Sequence, residues 1–279
     1  MTKALTLLTC TCLGLACSQS DKGSSVDSAS TGASRTPGVD QTVIGFDSEY
    51  IHFGDENRRS VDIQVEFPDS TTTYSAITGR FDLDCPNTSK CDWWDRYATV
   101  GVVVDAGTEQ EQYIELDRFI TPYRVGFDWE SDLTHARPLL TGSVTLRVFI
   151  DTWVTEGHSQ GDGWLFSADF DFVGGPPPQP EAVAIIPVWG HLSWNAGIED
   201  NPVEAQVEPQ TITVPEATRY TLRSFITGHG WNNQQNCAEF CAQDHSYTVG
   251  EEEFEREVWR EDCSETETDG TQQGTWQYS

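Results

Sequence analysis

The sequence predicts an all-β protein of two sandwich domains side by side. Three observations carry that expectation: apolar residues alternate along short runs, no long helical periodicity occurs, and a proline-rich break divides the chain. Over residues 61–67, Val61, Ile63, Val65 and Phe67 fall on one face of an extended segment. Residues 97–104 form a second strand. Residues 144–154 form a third, with Val144, Leu146, Val148, Ile150 and Val154 on one face and Phe149, Asp151 and Trp153 on the other. The run Gly174-Gly-Pro-Pro-Pro-Gln-Pro180 is a stiff connector with few backbone donors and marks a domain boundary. Strands are expected again over residues 182–189, 210–214 and 220–227, which gives domains at residues 43–174 and 181–279. The abundance of Trp, Phe and Tyr beside a single Met suits a β-rich core.

The formal net charge of -29 disfavours nucleic acid and anionic lipid as partners, and its plain reading is solubility. Lys3 followed by the apolar residues 4–16 reads as an export signal, too short to span a bilayer. Leu13-Gly-Leu-Ala-Cys17 approximates a bacterial lipoprotein cleavage site at which Cys17 would be acylated. An ordinary cleaved signal peptide is the alternative. Residues 18–42 have the Ser-, Gly- and Thr-rich composition of a flexible tether. The chain is therefore expected at the cell envelope or outside the cell, touching membrane only through such an anchor. Export permits disulfides. Two close pairs suggest themselves, Cys85 with Cys91 and Cys237 with Cys241, which leaves Cys263 over. A four-cysteine zinc site from the same two pairs is the competing reading, disfavoured by the spacings and by oxidation.

Three carboxylates stand in settings that suit chemistry. Asp95 lies in Cys91-Asp-Trp-Trp-Asp-Arg-Tyr97, beside aromatic rings that suit a sugar and just ahead of a strand. A carboxylate next to Arg96 is ordinarily a structural ion pair. Glu239 sits inside the short loop Cys237-Ala-Glu-Phe-Cys241, after the polar, glycine-bearing residues 228–235; its plain reading is a hairpin tip. Asp151 shares a strand face with Phe149 and Trp153, where an acid is commonly just exposed. The six histidines show no His-x-His or His-x-x-x-His spacing, and no glycine-rich phosphate loop or serine-nucleophile motif occurs.

These segments carry a family resemblance. Cys85-Pro-Asn-Thr, Cys91-Asp-Trp-Trp-Asp-Arg-Tyr-Ala98, Arg118-Phe-Ile-Thr-Pro-Tyr123, Asp151-Thr-Trp153, Phe170-Asp-Phe172, Ile186-Pro-Val188 and Cys237-Ala-Glu-Phe-Cys241 occur in that order. The chain resembles the peptide-N-glycosidase F family, bacterial amidases that remove N-linked glycans from glycoproteins. The resemblance implies two jelly-roll sandwiches with a substrate cleft at their interface. It implies Asp95 as the principal catalytic acid, Glu239 and Asp151 as its assistants, and Arg96, Trp94, Trp153, His229 and Trp231 around the substrate. It implies N-glycosylated proteins or glycopeptides as substrates, no cofactor or metal, and action as a monomer.

Two departures from the family pattern accompany it. Asp151 stands where the family has Glu, one methylene longer. Family members continue beyond Ser279 through further strands and a cysteine that would partner Cys263, so a C-terminal truncation that leaves the second jelly roll incomplete is expected. Two other readings compete. One is a glycan-binding lipoprotein of the same fold without turnover. The other is a copper-dependent monooxygenase of the related double jelly-roll fold, which the single Met1 and the lack of paired histidines disfavour.

Overall fold

The computed structural model describes residues 3–6, 35–86, 90–195, 198–228 and 242–259. Its strands are β1 (Lys3–Thr6), β2 (Thr36–Pro37), β3 (Gln41–Ile51), β4 (Ser60–Phe67), β5 (Thr72–Asp84), β6 (Tyr97–Val104), β7 (Gln112–Ile120), β8 (Phe127–Asp132), β9 (Gly142–Ile150), β10 (Trp164–Gly174), β11 (Thr211–Val214), β12 (Gln243–Val249) and β13 (Glu252–Val258). The protein is all-β; among the described residues the helical elements are a turn at Val203–Gln206 and a 3-10 turn at Thr134–Ala136.

Strands β3 to β10 form a jelly roll. One sheet runs β3, β10, β5, with β8 and the short β2 both on the far edge of β5; the facing sheet runs β4, β9, β6, β7. Alternation along β4 and β9 builds the interior, because Val61, Val65, Phe67, Val144, Leu146, Val148 and Ile150 are all buried. Aromatic rings fill the middle. Phe166 lies 5.4 Å from Phe46 and 6.1 Å from Phe119, and Phe119 lies 4.6 Å from Trp129.

β10 ends at Gly174 and the proline-rich residues that follow carry no strand. Beyond them the described residues form two-stranded ribbons: β11 pairs with β1, and β12 pairs with β13. Residues 182–189 and 220–227, expected as strands, are irregular instead. Extended backbone becomes a strand only when a neighbour satisfies its N–H and C=O groups, and neither segment has a ladder partner among the described residues. The 210–214 expectation holds as β11.

Candidate active site

The candidate site lies where β6 and β9 run out at one end of the four-stranded sheet. Cys85 and Cys91 form a disulfide, which closes the loop leading into β6. The next residue, Asp92, is fully buried and anchors that loop. Its carboxylate accepts hydrogen bonds from Arg96 Nε at 2.7 Å, Arg96 Nη2 at 3.2 Å, the Thr152 hydroxyl at 2.7 Å and the Trp94 N–H at 3.1 Å. The Asp92 carbonyl accepts from the Arg124 N–H at 3.0 Å. The ion pair in this motif is therefore made by Asp92, and the side chain of Arg96 reaches back four residues to it.

Asp95 is left half-buried and makes no hydrogen bond or ion pair among the described residues. Its placement follows from the ladder. The Asp151 N–H donates to the Tyr97 carbonyl at 3.0 Å, and the Thr121 N–H donates to the Arg96 carbonyl at 2.9 Å, so pairing continues past the end of β6 on both sides. Alternation along these extensions turns Arg96 and Thr152 inward, onto Asp92. It sends Asp95, Tyr97, Asp151 and Trp153 to the outer face. The contact of Tyr97 with Phe149, 6.0 Å between ring centres, marks the same face.

Asp151 is held by Arg59, whose Nη1 donates to its Oδ1 at 2.8 Å. The Arg59 guanidinium lies 4.4 Å from the Trp153 ring centre and 4.9 Å from that of Phe53. Trp153, Trp94 and Trp93 are 50%, 44% and 38% exposed, which leaves ring surface free to stack on a ligand. Arg124, with φ of 67°, lies 4.5 Å from the Trp93 ring centre. Further along the face, the Tyr97 hydroxyl lies 3.0 Å from His191 Nδ1 and 3.3 Å from Glu115 Oε1. Burial, and then the Glu115 charge, push the Tyr97 phenol well above its usual range. His191 thus brings the segment after the proline-rich break to the flank of the site.

Of the residues singled out in the sequence, Asp95, Asp151, Trp94, Trp153 and Arg96 come together here. Glu239, His229, Trp231, Cys237, Cys241 and Cys17 lie outside the described residues. The residues that sequence reasoning passed over are Asp92, Thr152, Arg59 and Phe53. Asp92 had a signal, an acid four residues before an arginine and next to a cysteine; Arg59 had none, since its partner is remote in the chain. Among the described residues, no group of three or more His, Cys, Asp or Glu is arranged to hold a metal ion. A separate cleft of about 450 Å³ lies between β5, the 3-10 turn and the proline-rich segment, lined by Tyr74, His135, Arg137 and Pro178 among others, and contains neither Asp95 nor Asp151.

Chemically, the arrangement offers a carboxylate with no partner among the described residues, able to accept a proton or orient a water, a second carboxylate on the same face, and indole surfaces beside them. The sequence and the fold are also similar to those of known proteins. The family profile "Peptide-N-glycosidase F, N terminal" matches residues 99–161, and "Peptide-N-glycosidase F, C terminal" matches residues 199–279, together more than half of the chain. The peptide-N(4)-(N-acetyl-beta-D-glucosaminyl)asparagine amidase F of Elizabethkingia miricola is 30% identical over 243 residues, spanning 83% of this chain. The chain in turn spans 66% of the length of that relative. A crystal structure of a peptide-N(4)-(N-acetyl-beta-D-glucosaminyl) asparagine amidase superposes with a TM-score of 0.63 at 26% identity, covering 85% of this chain and 79% of that one. PNGase F from Flavobacterium meningosepticum, described as a glycosylasparaginase, gives 0.60 at 26% identity, covering 86% and 78%. With both halves of one family recognised in order along it, the chain belongs to the peptide-N-glycosidase F family.

Proposed function

We propose that the chain is an exported amidase that hydrolyses the glycosyl-asparagine amide bond of N-linked glycoproteins or glycopeptides, releasing the glycan and converting Asn to Asp. The observation that carries this reading is the half-buried Asp95 carboxylate. It has no partner among the described residues, yet it is held in place by a loop that Asp92 and the disulfide pin. A structural carboxylate would have spent its acceptors on the protein, as Asp92 does. Asp95 would orient and deprotonate the water that attacks the amide carbonyl; Asp151 and Glu239 would hold the inner sugar or share a proton. A positioned acid or base supplies roughly 10²–10⁴-fold. Trp94, Trp153, His229 and Trp231 would contact the sugars. Arg96 would keep the Asp95 backbone in register through Asp92.

The apolar leader and the Cys85–Cys91 disulfide support export, and Cys17 is the residue we assign to lipid attachment. We assign residues 43–174 and 181–279 to the two jelly rolls of the family.

The test is incubation of the full chain with a denatured glycopeptide, with mass analysis of both products. We expect release of intact glycan with Asn converted to Asp, and loss of at least about 10²-fold in kcat for Asp95→Asn with glycan binding retained. Binding without release in the unsubstituted chain would favour the second reading, a glycan-binding protein of this fold.

A further inference from the structure

We propose that Arg59 is the positioning residue of this site, setting both the Asp151 carboxylate and the Trp153 ring for the sugar next to the scissile amide; the inference rests on the glycan-amidase reading above. Three sets of contacts converge on it. First, the guanidinium is committed on several sides. Nη1 donates to Asp151 Oδ1 at 2.8 Å, Nε donates to Asn57 Oδ1 at 2.8 Å, and the rings of Phe53 and Trp153 lie within 5 Å of its central carbon. An arginine gripped through its plane and its edge has one orientation, and its partners acquire one as well.

Second, the backbone around Arg59 clamps the segment that carries Asp151 and Trp153. The Ile150 N–H donates to the Arg59 carbonyl at 3.0 Å, immediately before Asp151. The Phe53 N–H donates to the Val154 carbonyl at 2.8 Å, immediately after Trp153. The loop between β3 and β4 therefore grips residues 150–154 from both ends, with Arg59 over the middle.

Third, the grip leaves the site open. Asp151 Oδ2 has no hydrogen-bond partner among the described residues, and Trp153 remains half exposed. One carboxylate oxygen is fixed by arginine, and the other, on a side chain 41% exposed, is left as an acceptor for a sugar hydroxyl or amide N–H. The Arg59–Asp151 pair is partly solvated, with side chains 20% and 41% exposed, so its contribution to folding is small. Its consequence lies in where it holds the acid and the ring.

The experiment uses the full chain and a chitobiosyl glycopeptide, with Arg59→Met, Arg59→Lys, Asp151→Asn and the Arg59→Met/Asp151→Asn double variant. We expect Arg59→Met to lower kcat by about 10- to 100-fold, the scale of a carboxylate displaced by about 1 Å. The far-ultraviolet circular dichroism should be unchanged. Arg59→Lys should recover part of the loss, because it restores the charge but not the stacking fork. The double variant should lose less than the product of the two single losses, because the part of the Arg59 effect that runs through Asp151 is already gone in Asp151→Asn. In parallel, binding of N,N′-diacetylchitobiose, read by tryptophan fluorescence, should weaken in Arg59→Met and stay unchanged in Asp95→Asn. Kinetics within twofold of the unsubstituted chain in a folded Arg59→Met variant would overturn the proposal, as would losses that multiply in the double variant. If the unsubstituted chain binds chitobiose but releases no glycan, the amidase reading fails and the binding series alone decides Arg59. If it neither binds nor releases, both fall.

Discussion

At Asp92, four hydrogen bonds from three residues converge on one carboxylate that water does not reach. Removing an acid from such a place strands the other charge in a poor solvent, so the loss exceeds the worth of the pair itself. We expect Asp92→Ala to destabilise the protein by about 3–5 kcal/mol, measured by chemical denaturation, and to abolish glycan release with Asp95 untouched. Thr152→Val, which removes one donor to the same carboxylate, should cost about 1.5–3 kcal/mol and spare part of the activity. If Asp92→Ala were to keep near-normal stability, the assignment of Asp92 as the loop's anchor would fail. The contrast with Asp95 shows what the sequence revealed of this site. Asp95 and Asp151 were legible as candidates because aromatic residues flank both. The partner of Arg96 was not, because adjacent residues on a strand point to opposite faces; extending the strand at residues 97–104 back by two would have turned Arg96 inward and Asp95 outward. Arg59 was illegible in principle, since no local pattern encodes a contact made only when the loop after β3 meets the end of β9.

Strand β7 shows how one element serves two faces. Its pairing with β6 slips between Val100 and Gly101, a bulge that breaks strict alternation. Arg118 and Glu115, three residues apart, therefore share the outer face and pair through two hydrogen bonds of 2.7 and 2.9 Å. Asp117 is turned inward instead. There its carboxylate accepts from Trp129 Nε1 at 3.0 Å and from the Ser131 hydroxyl, both on β8, tying the two sheets together across the interior. Burial pushes the Asp117 carboxyl above its ordinary range; the donors oppose this without cancelling it. The folded chain thus holds the proton more tightly than the unfolded one. The resulting stability is fully present below the ordinary aspartate value near 3.9 and is lost as pH rises through the folded value. We expect Asp117→Asn to destabilise by about 1–3 kcal/mol, because its amide N–H₂ would face a donor. The gap in melting temperature from the unsubstituted chain should widen as pH is lowered from 7 toward 4; a gap that narrows would contradict the assignment. At this scale alternation located β4 and β9 from sequence, because each buries one face. It misplaced strands at residues 182–189 and 220–227, because apolar content says nothing about whether a partner edge is present.

Over the whole molecule the dominant fact is 45 acids against 16 lysines and arginines. A net charge of this size repels itself across the folded surface and opposes compaction. The β12–β13 ribbon shows the effect locally: Asp244 sits directly opposite Glu257, a like-charge cross-strand pair, and Glu252, Glu253 and Glu255 lie on the same strand as Glu257. Salt acts unequally on these terms. Raising ionic strength from about 10 mM to about 150 mM shortens the Debye length from about 30 Å to about 8 Å. That removes most repulsion between exposed acids but touches the buried Asp92–Arg96 pair far less. We therefore expect the melting temperature to rise with sodium chloride over this range, the reverse of a protein held together by exposed ion pairs. Chloride is preferred to sulfate because sulfate strengthens apolar burial by a separate route. The same field would act on the substrate of the proposed activity. A neutral chitobiosyl glycopeptide should show kcat/KM nearly independent of salt. A glycopeptide with an acidic glycan should be repelled at low salt, so its kcat/KM should climb as salt is added. A melting temperature that falls with salt, or an acidic glycopeptide cleaved fastest at the lowest ionic strength, would show that cations near the site outweigh the charge of the whole.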